Sequence, residues 1–169
     1  MDIKICIIGQ DPYIGEENGV YINTQLKDKT ASVTIETTIE NSNLIPSNCT
    51  TYSYITDRNG KIIAKTNETI VRLEANKNTV IKQKLTVQNS RLWSIEDPYL
   101  YKAISVIKVG NKILQKSKTR FGIRTFKFDA TEGFFLNGKS VKIKGTNNHQ
   151  DHAGIGSALP DYLQFYRIK

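Results

Sequence analysis

The sequence predicts an all-β protein, and three observations lead to that prediction. Short runs rich in β-branched and aromatic residues follow one another over residues 20–124, with turn residues between them. Apolar residues within a run recur at every second position, as in residues 33–39. The pairs Asn59-Gly60 and Gly110-Asn111 are tight-turn signals between neighbouring runs. About seven strands without a convincing helix indicate an immunoglobulin-like antiparallel β-sandwich.

The strands of this sandwich can be assigned in chain order. They are predicted at residues 20–26, 33–39, 52–56, 61–65, 69–73, 80–87, 99–109 and 112–120. Large apolar side chains on their inward faces, together with the single tryptophan, form the expected core. Its named members are Val33, Ile35, Leu85, Trp93 and Ile107.

The pattern changes after Arg124. Residues 134–136 and 139–144 flank Asn137-Gly138, which predicts a third hairpin. The second arm of that hairpin runs into KGTNNHQDHAGIG, residues 144–156, which contains both histidines of the chain. Pro160 and Asp161 then predict the start of a helix, because proline is tolerated in the first turn and an acidic residue there favours the helix dipole.

Composition limits the classes of protein. A chain of 169 residues that is 38% hydrophobic can fill a core, so it is expected to be one folded domain, or one domain with a piece of another. The net charge of +8 would suit a polyanion, but the lysines are scattered in pairs two residues apart. These pairs are Lys82 and Lys84, Lys116 and Lys118, and Lys142 and Lys144. Such spacing favours a solvated sheet face over a nucleic-acid interface, which would interleave basic and aromatic residues.

The two cysteines and the first residues carry little signal. Cys6 lies in an apolar run and Cys49 in a polar turn, so both are expected to be free, and no zinc-site spacing is present. The apolar run before Gly9 is too short for a signal peptide or a membrane span. The sequence therefore predicts no leader and no membrane segment, and it leaves bacterial cytoplasm and periplasm both open.

Four stretches occur in an informative order. They are NGVYINTQL with TIETTIEN, then LWSIEDPYLY, then RFGIRTFKFD, and finally FFLNGKSVKIKGTNNHQDH. In this order they resemble the central part of glycoside hydrolase family 2, which contains β-galactosidases, β-glucuronidases and β-mannosidases. The match is closest to the β-galactosidase branch.

The resemblance implies a division of the chain into three parts. Residues 1–19 would be a linker or the end of a preceding domain, and residues 20–126 the immunoglobulin-like sandwich. Residues 127–169 would be the truncated start of a (β/α)₈ catalytic barrel, with an incomplete first strand at residues 141–144 and part of the first helix. The stretch after that strand would then lie at the carboxyl end of the barrel, where such enzymes build their active sites.

The resemblance also implies a sugar site. His149 would reach the sugar where the glycosidic bond breaks, with Asn147 and Asp151 flanking it and His152 further along. Asn148 and Gln150 stand where many relatives carry a basic and an acidic residue. From the residues alone, this stretch reads as an exposed polar loop. A metal site on His149, Asp151 and His152 would need more ligands than the fragment supplies.

Hydrolysis with retention requires two carboxylates about 5 Å apart. In the family both come from barrel strands that follow the last residue of this chain, and Asp129, Glu132 and Asp151 cannot replace them. The chain is therefore expected to be an inactive piece of a glycosidase. Its carbohydrate substrate would be bound through the barrel that this piece lacks. We expect no cofactor in this fragment. The sequence leaves open whether the full-length protein binds a divalent metal and whether it forms homo-oligomers.

The alternative is a free-standing immunoglobulin-like module that binds carbohydrate or protein. It differs from the first interpretation in a simple way, because the reading frame of a glycosidase would continue past Lys169. A nucleic-acid partner is not expected under either interpretation.

Overall fold

The computed structural model describes residues 3–5, 16–17, 19–145, 152, 154–156, 158 and 160–168. These residues form strands and one short helix. In chain order the strands are β1 Ile3–Ile5, β2 Glu16–Glu17, β3 Val20–Lys27, β4 Thr30–Asn41, β5 Ser47–Thr56, β6 Ile62–Lys65, β7 Thr69–Leu73, β8 Lys77–Val87, β9 Tyr101–Val109, β10 Lys112–Phe121, β11 Phe126–Asp129, β12 Gly133–Leu136 and β13 Lys139–Ser140. The helix is α1 Asp161–Ile168.

The first sheet is built around β4. Its alternating burial places one face on the core. One edge of β4 pairs antiparallel with β8, and the other pairs with β3 and, further along, with β1. The short strand β2 extends the sheet beyond β3.

The second sheet is built around β5 and β9. The antiparallel order is β10, β9 and β5, and the free edge of β5 is shared by β6 and β7. Inward residues of the two sheets form one cluster that includes Val33, Ile35, Leu85 and Ile107. Packing two antiparallel sheets in this way gives the predicted immunoglobulin-like sandwich.

Hydroxyl and amide groups cross the middle of this core. Thr37 of β4 shares a hydrogen bond of 2.9 Å with Ser105 of β9. Ser53 of β5 donates to Gln83 of β8 at 2.7 Å, and lies 3.2 Å from the Ser105 hydroxyl. Because buried polar groups are costly unless they are bonded, this network fixes the two sheets in one register.

The third sheet is the hairpin of β11, β12 and β13, which we call the hairpin sheet. Asn137 and Gly138 at its turn have φ of 52° and 76°. Positive φ at both central residues is the condition for the tight turn that twists with its strands, as the sequence predicted.

The second arm of this hairpin is shorter than predicted. Strand β13 ends at Ser140, whereas the sequence predicted a strand through Lys144. Val141 still donates from its backbone nitrogen to the oxygen of Phe134 at 2.9 Å, but residues 142–145 pair with no strand among the described residues. A strand forms only where a neighbour accepts its hydrogen bonds, so the apolar pattern alone overestimated its length.

The predicted helix is present. Helix α1 begins at Asp161 directly after Pro160, as the proline and the acidic residue of the first turn indicated. Leu163 is half-buried and Tyr166 is exposed. No helix in the described part of the chain is long and apolar enough to cross a membrane.

The described cysteine is free, as predicted, but it lies within strand β5 and not in the polar turn that the sequence indicated. Cys49 is a buried free thiol, and burial raises its pKa above the ordinary value. Cys6 lies outside the described residues.

Candidate functional site

The predicted sugar-binding residues are Asn147, His149, Asp151 and His152. Asn147, His149 and Asp151 lie outside the described residues. His152 is exposed, and its backbone forms a tight bridge with Gly156. The His152 nitrogen donates to the Gly156 oxygen at 3.1 Å, and the Gly156 nitrogen donates back at 3.0 Å.

Three of the four stretches that resemble the family meet at the junction between the sandwich and the hairpin sheet. The side chain of Asn137 lies at its centre. Its Nδ2 donates to the backbone oxygen of Trp93 at 2.9 Å, and its Oδ1 accepts from the nitrogen of Thr125 at 3.0 Å. The Asn137 nitrogen also donates to the Thr125 oxygen at 2.8 Å. We call these three bonds the Asn137 clamp.

Trp93 is held to the sandwich on its other side. Its nitrogen donates to the oxygen of Ile123 at 2.8 Å. A Cβ placed on Gly122 would lie 2.9 Å from the Trp93 Cβ, so only glycine leaves room for the backbone there. The Arg124 guanidinium lies 5.0 Å from the centre of the indole ring, which is a cation–π contact. Trp93 is half-buried and therefore belongs to the junction more than to the space between the sheets.

The segment that carries Trp93 is anchored by two tyrosines. The backbone nitrogen of Arg91 donates to the Tyr101 hydroxyl at 2.8 Å, and that hydroxyl donates back to the Arg91 oxygen at 3.3 Å. This arrangement matches the tyrosine corner of immunoglobulin-like domains. Burial raises the pKa of Tyr101, so the phenol stays protonated and keeps its donor.

The Tyr99 ring contacts two arginines. The guanidinium groups of Arg58 and Arg91 each lie 4.8 Å from the ring centre. Asp97 pairs with both arginines, at 3.7 Å and 2.6 Å respectively. The segment between β8 and β9 is thereby fixed although it contains no strand.

An open apolar cavity lies beside the junction. Its volume is about 520 Å³, and Trp93, Arg124 and the hairpin sheet line it. Several large side chains here are solvent-exposed, and we call them the apolar face. They are Ile95, Phe126, Phe128 and Ile143, exposed by 60%, 64%, 70% and 66%. Such a surface can bind another apolar surface but offers no group for acid–base chemistry.

A carboxylate of the hairpin sheet has a structural role. Asp129 caps the turn between β11 and β12, accepting from Lys127 and from the backbone nitrogens of Thr131 and Glu132. The Lys127 ammonium is the main reason that the pKa of Asp129 lies below its ordinary value, and the two backbone donors lower it further. An ionised cap of this kind is unsuited to proton donation.

Sequence reasoning recognised the Asn137-Gly138 turn but missed the clamp that Asn137 forms. It also included Tyr101 only as the last residue of the stretch LWSIEDPYLY. Among the residues that the structure describes, no three His, Cys, Asp or Glu side chains are grouped so that they could hold a metal ion.

The motifs that meet at this junction are those of one family. The sequence profile of glycosyl hydrolases family 2 matches residues 14–124. The chain belongs to this family. A β-glucuronidase of Formosa agariphila is 32% identical over 157 residues, and a β-galactosidase of Bacteroides ovatus is 36% identical over 142 residues.

These family 2 relatives are much longer than the chain. The two alignments cover 91% and 83% of this chain but only 16% and 17% of the relatives. A solved β-glucuronidase of glycoside hydrolase family 2 superposes with a TM-score of 0.79 at 30% identity, covering 97% of this chain and 17% of that one. A putative β-galactosidase from Bacteroides fragilis superposes with a TM-score of 0.76 at 27% identity, covering 89% of this chain and 22% of that one.

Proposed function

We propose that the whole protein is a retaining glycosidase, in which this chain supplies the linking sandwich and the start of the catalytic barrel. In this proposal residues 1–19 are a linker or the end of a preceding domain. Residues 20–126 form the sandwich, and residues 127–169 begin the barrel. The work of the chain is to position the barrel and to contribute one loop to its sugar site.

The Asn137 clamp is the observation that carries this proposal. The clamp bonds the turn of the hairpin sheet to Trp93 and Thr125, which lie between the sandwich and that sheet. Only three residues separate Asn137 from Val141, where the first barrel strand would begin. A shift of about 1 Å in catalytic geometry can cost a large part of the rate, so a fixed starting point for the barrel has functional value.

The apolar face supports the same proposal. Water-soluble proteins seldom expose large contiguous apolar patches without a binding role. We propose that the rest of the catalytic domain covers Phe126, Phe128 and Ile143, and that residues 141–144 then pair with neighbouring barrel strands. The apolar pattern that predicted a longer strand would be satisfied in that state.

His149 would act on the sugar from the carboxyl end of that first strand. An imidazole nitrogen that accepts from a sugar hydroxyl gains bond strength in the transition state, because positive charge developing on the sugar ring makes the hydroxyl a better donor. Asn147, Asp151 and His152 would orient it or bind neighbouring hydroxyls. The carboxylate pair itself would come from outside this chain.

The proposed substrate is a terminal β-galactoside, which is supported by the resemblance of the motifs to the β-galactosidase branch and by the relative from Bacteroides ovatus, named as a β-galactosidase and 36% identical over 142 residues. A β-glucuronide is the second candidate. It is favoured by the relative from Formosa agariphila, which is named as a β-glucuronidase and aligns over 91% of this chain.

The test uses the full-length protein and nitrophenyl β-galactoside and β-glucuronide as substrates. We expect turnover of the galactoside, with the β-anomer of the sugar as the first product seen by NMR. The 169-residue chain should turn over neither substrate, because positioning without a carboxylate pair leaves the bond nearly as inert as in water. An α-anomer as first product would contradict retention. Activity of the 169-residue chain that disappears on Asp151→Asn would contradict the structural role.

A further inference from the structure

We propose that the outer face of the second sheet binds an anionic polysaccharide, at a site separate from the proposed sugar site. Five cationic side chains define this surface, which we call the basic face. They are Lys65, Lys102, Lys116, Lys118 and Arg120. The spacing of Lys116 and Lys118 in the sequence indicated only a shared face, whereas the strand register brings cations from three strands together.

The register places these cations in adjacent rows. Arg120 of β10 pairs with Lys102 of β9, and Lys118 pairs with Ile104. Ile104 pairs in turn with Tyr54 of β5, and Tyr54 pairs with Lys65 of β6. Paired residues point to the same side of a sheet, and the strands are about 4.8 Å apart, so the charges lie within a few strand widths of one another.

The charge of this face is not neutralised within the sheet. Lys108, on the same side, pairs with Glu68 at 2.9 Å. In the described part of the chain, no carboxylate forms an ion pair with Lys102, Lys116 or Lys118, nor with Arg120. Like charges at this density repel one another, and a bound polyanion would relieve the repulsion.

The basic face contains a groove with an apolar floor. Its volume is about 550 Å³, and it is lined by Lys102, Lys116 and Lys118 together with Tyr54, Ile62 and Ile104. Cations around an aromatic and aliphatic floor suit a sugar chain whose rings present C–H faces and whose carboxylates or sulfates project sideways.

The tyrosines favour a glycan over a nucleic acid. Single-stranded nucleic acids bind by stacking bases on open aromatic rings. The Lys65 ammonium lies 4.8 Å from the centre of the Tyr52 ring, and the Tyr54 ring is stacked beside it at 6.3 Å. Of the two rings, Tyr54 lines the groove, whereas stacking of successive bases would need several open rings. The chain also belongs to a family that acts on glycosides.

The test measures binding of the 169-residue chain by isothermal titration calorimetry. The probes are polygalacturonate, neutral galactan and single-stranded DNA. We expect polygalacturonate to bind, with an affinity that falls as salt is raised, because screening acts over about 10 Å at 0.1 M ionic strength. Galactan should not bind, and DNA should bind more weakly than polygalacturonate.

The variant that tests the site is Lys116→Glu/Lys118→Glu. It should weaken polygalacturonate binding about tenfold or more, because it removes two contacts and adds repulsion. The matched control is Lys77→Glu/Lys84→Glu, which changes the net charge equally at exposed positions of β8 on the first sheet. It should change the affinity less than about twofold. If Lys116→Glu/Lys118→Glu has a lower melting temperature than the parent, Lys116→Ala/Lys118→Ala replaces it. This variant should also lose affinity for polygalacturonate, but to a smaller extent.

Three results would overturn the proposal. One is absence of polygalacturonate binding by the parent chain. Another is an equal loss in the β8 control, which would mean that net charge alone attracts the polymer. The last is DNA binding as tight as polygalacturonate binding, which would identify a nucleic-acid surface. None of these results depends on the proposed catalytic activity.

Discussion

Single residues at the junction have roles that their chemistry explains. Gly122 is required because a Cβ would collide with Trp93 at 2.9 Å. Asn137 is suited to its position because asparagine tolerates a positive φ and carries both a donor and an acceptor. Tyr101 combines an apolar ring in the core with a hydroxyl that bonds the chain ten residues upstream. Each residue satisfies a backbone requirement and a side-chain requirement together.

The residue with the greatest expected effect on activity is His149. In the proposed full-length glycosidase, His149→Ala should lower kcat/KM about a hundredfold or more, the usual cost of removing one preorganised hydrogen bond to the transition state. The loss should appear mainly in kcat, measured by steady-state kinetics, while the melting temperature stays unchanged. His152→Ala is the matched control and should cost less. Equal kinetics for wild type and His149→Ala would identify the loop as surface without a role in the reaction.

Among the elements, the hairpin sheet is the one whose stability depends most on its hydrogen bonds to the sandwich. It contacts the sandwich through the Asn137 clamp, and much of its own apolar surface is exposed. Asn137→Asp keeps the turn and the acceptor for Thr125 but replaces the donor that Trp93 needs. We expect it to lower the free energy of unfolding by about 1–3 kcal/mol, since it faces a carbonyl oxygen with a carboxylate oxygen.

Tryptophan fluorescence reports this effect directly, because Trp93 is the single tryptophan of the chain. Its emission should shift in Asn137→Asp, which frees the Trp93 carbonyl from the clamp. Asn111→Asp, in the exposed turn between β9 and β10, is the control. It should leave the emission maximum unchanged and the free energy of unfolding within about 0.5 kcal/mol of that of the parent. Unchanged emission in Asn137→Asp would mean that the clamp does not hold the junction.

At the scale of the whole molecule, the sandwich is well packed, whereas the hairpin sheet is largely exposed. The sandwich has a continuous core and a polar network across its centre. The hairpin sheet is attached through the Asn137 clamp, and its side of the apolar face is exposed, with Phe126 and Phe128 exposed by 64% and 70%. Regions with few buried apolar contacts open more easily than core strands do.

Amide hydrogen exchange should therefore divide the molecule in two. We expect the amides of β11 and β12 to exchange much faster than those of β4, whose two edges are both paired. Mass spectrometry of the monomeric 169-residue chain measures this directly. Exchange as slow in β12 as in β4 would show that the hairpin sheet is part of the same cooperative unit.

The sequence by itself determined the fold class, because alternation with a period of two and Asn-Gly turns depend on local geometry. Residues 69–73 were predicted as a strand and form β7 with the same bounds. The order of the motifs also determined the family, which the profile over residues 14–124 confirms.

Only the tertiary structure decided which distant groups meet. The bond between Asn137 and Trp93 spans 44 residues, and no local pattern specifies it. The end of β13 at Ser140 likewise depends on a partner strand, since apolar alternation continues past the point where pairing stops. The convergence of Lys102, Lys118 and Arg120 follows from strand register, which is set by the whole sheet and not by the spacing of lysines along the chain.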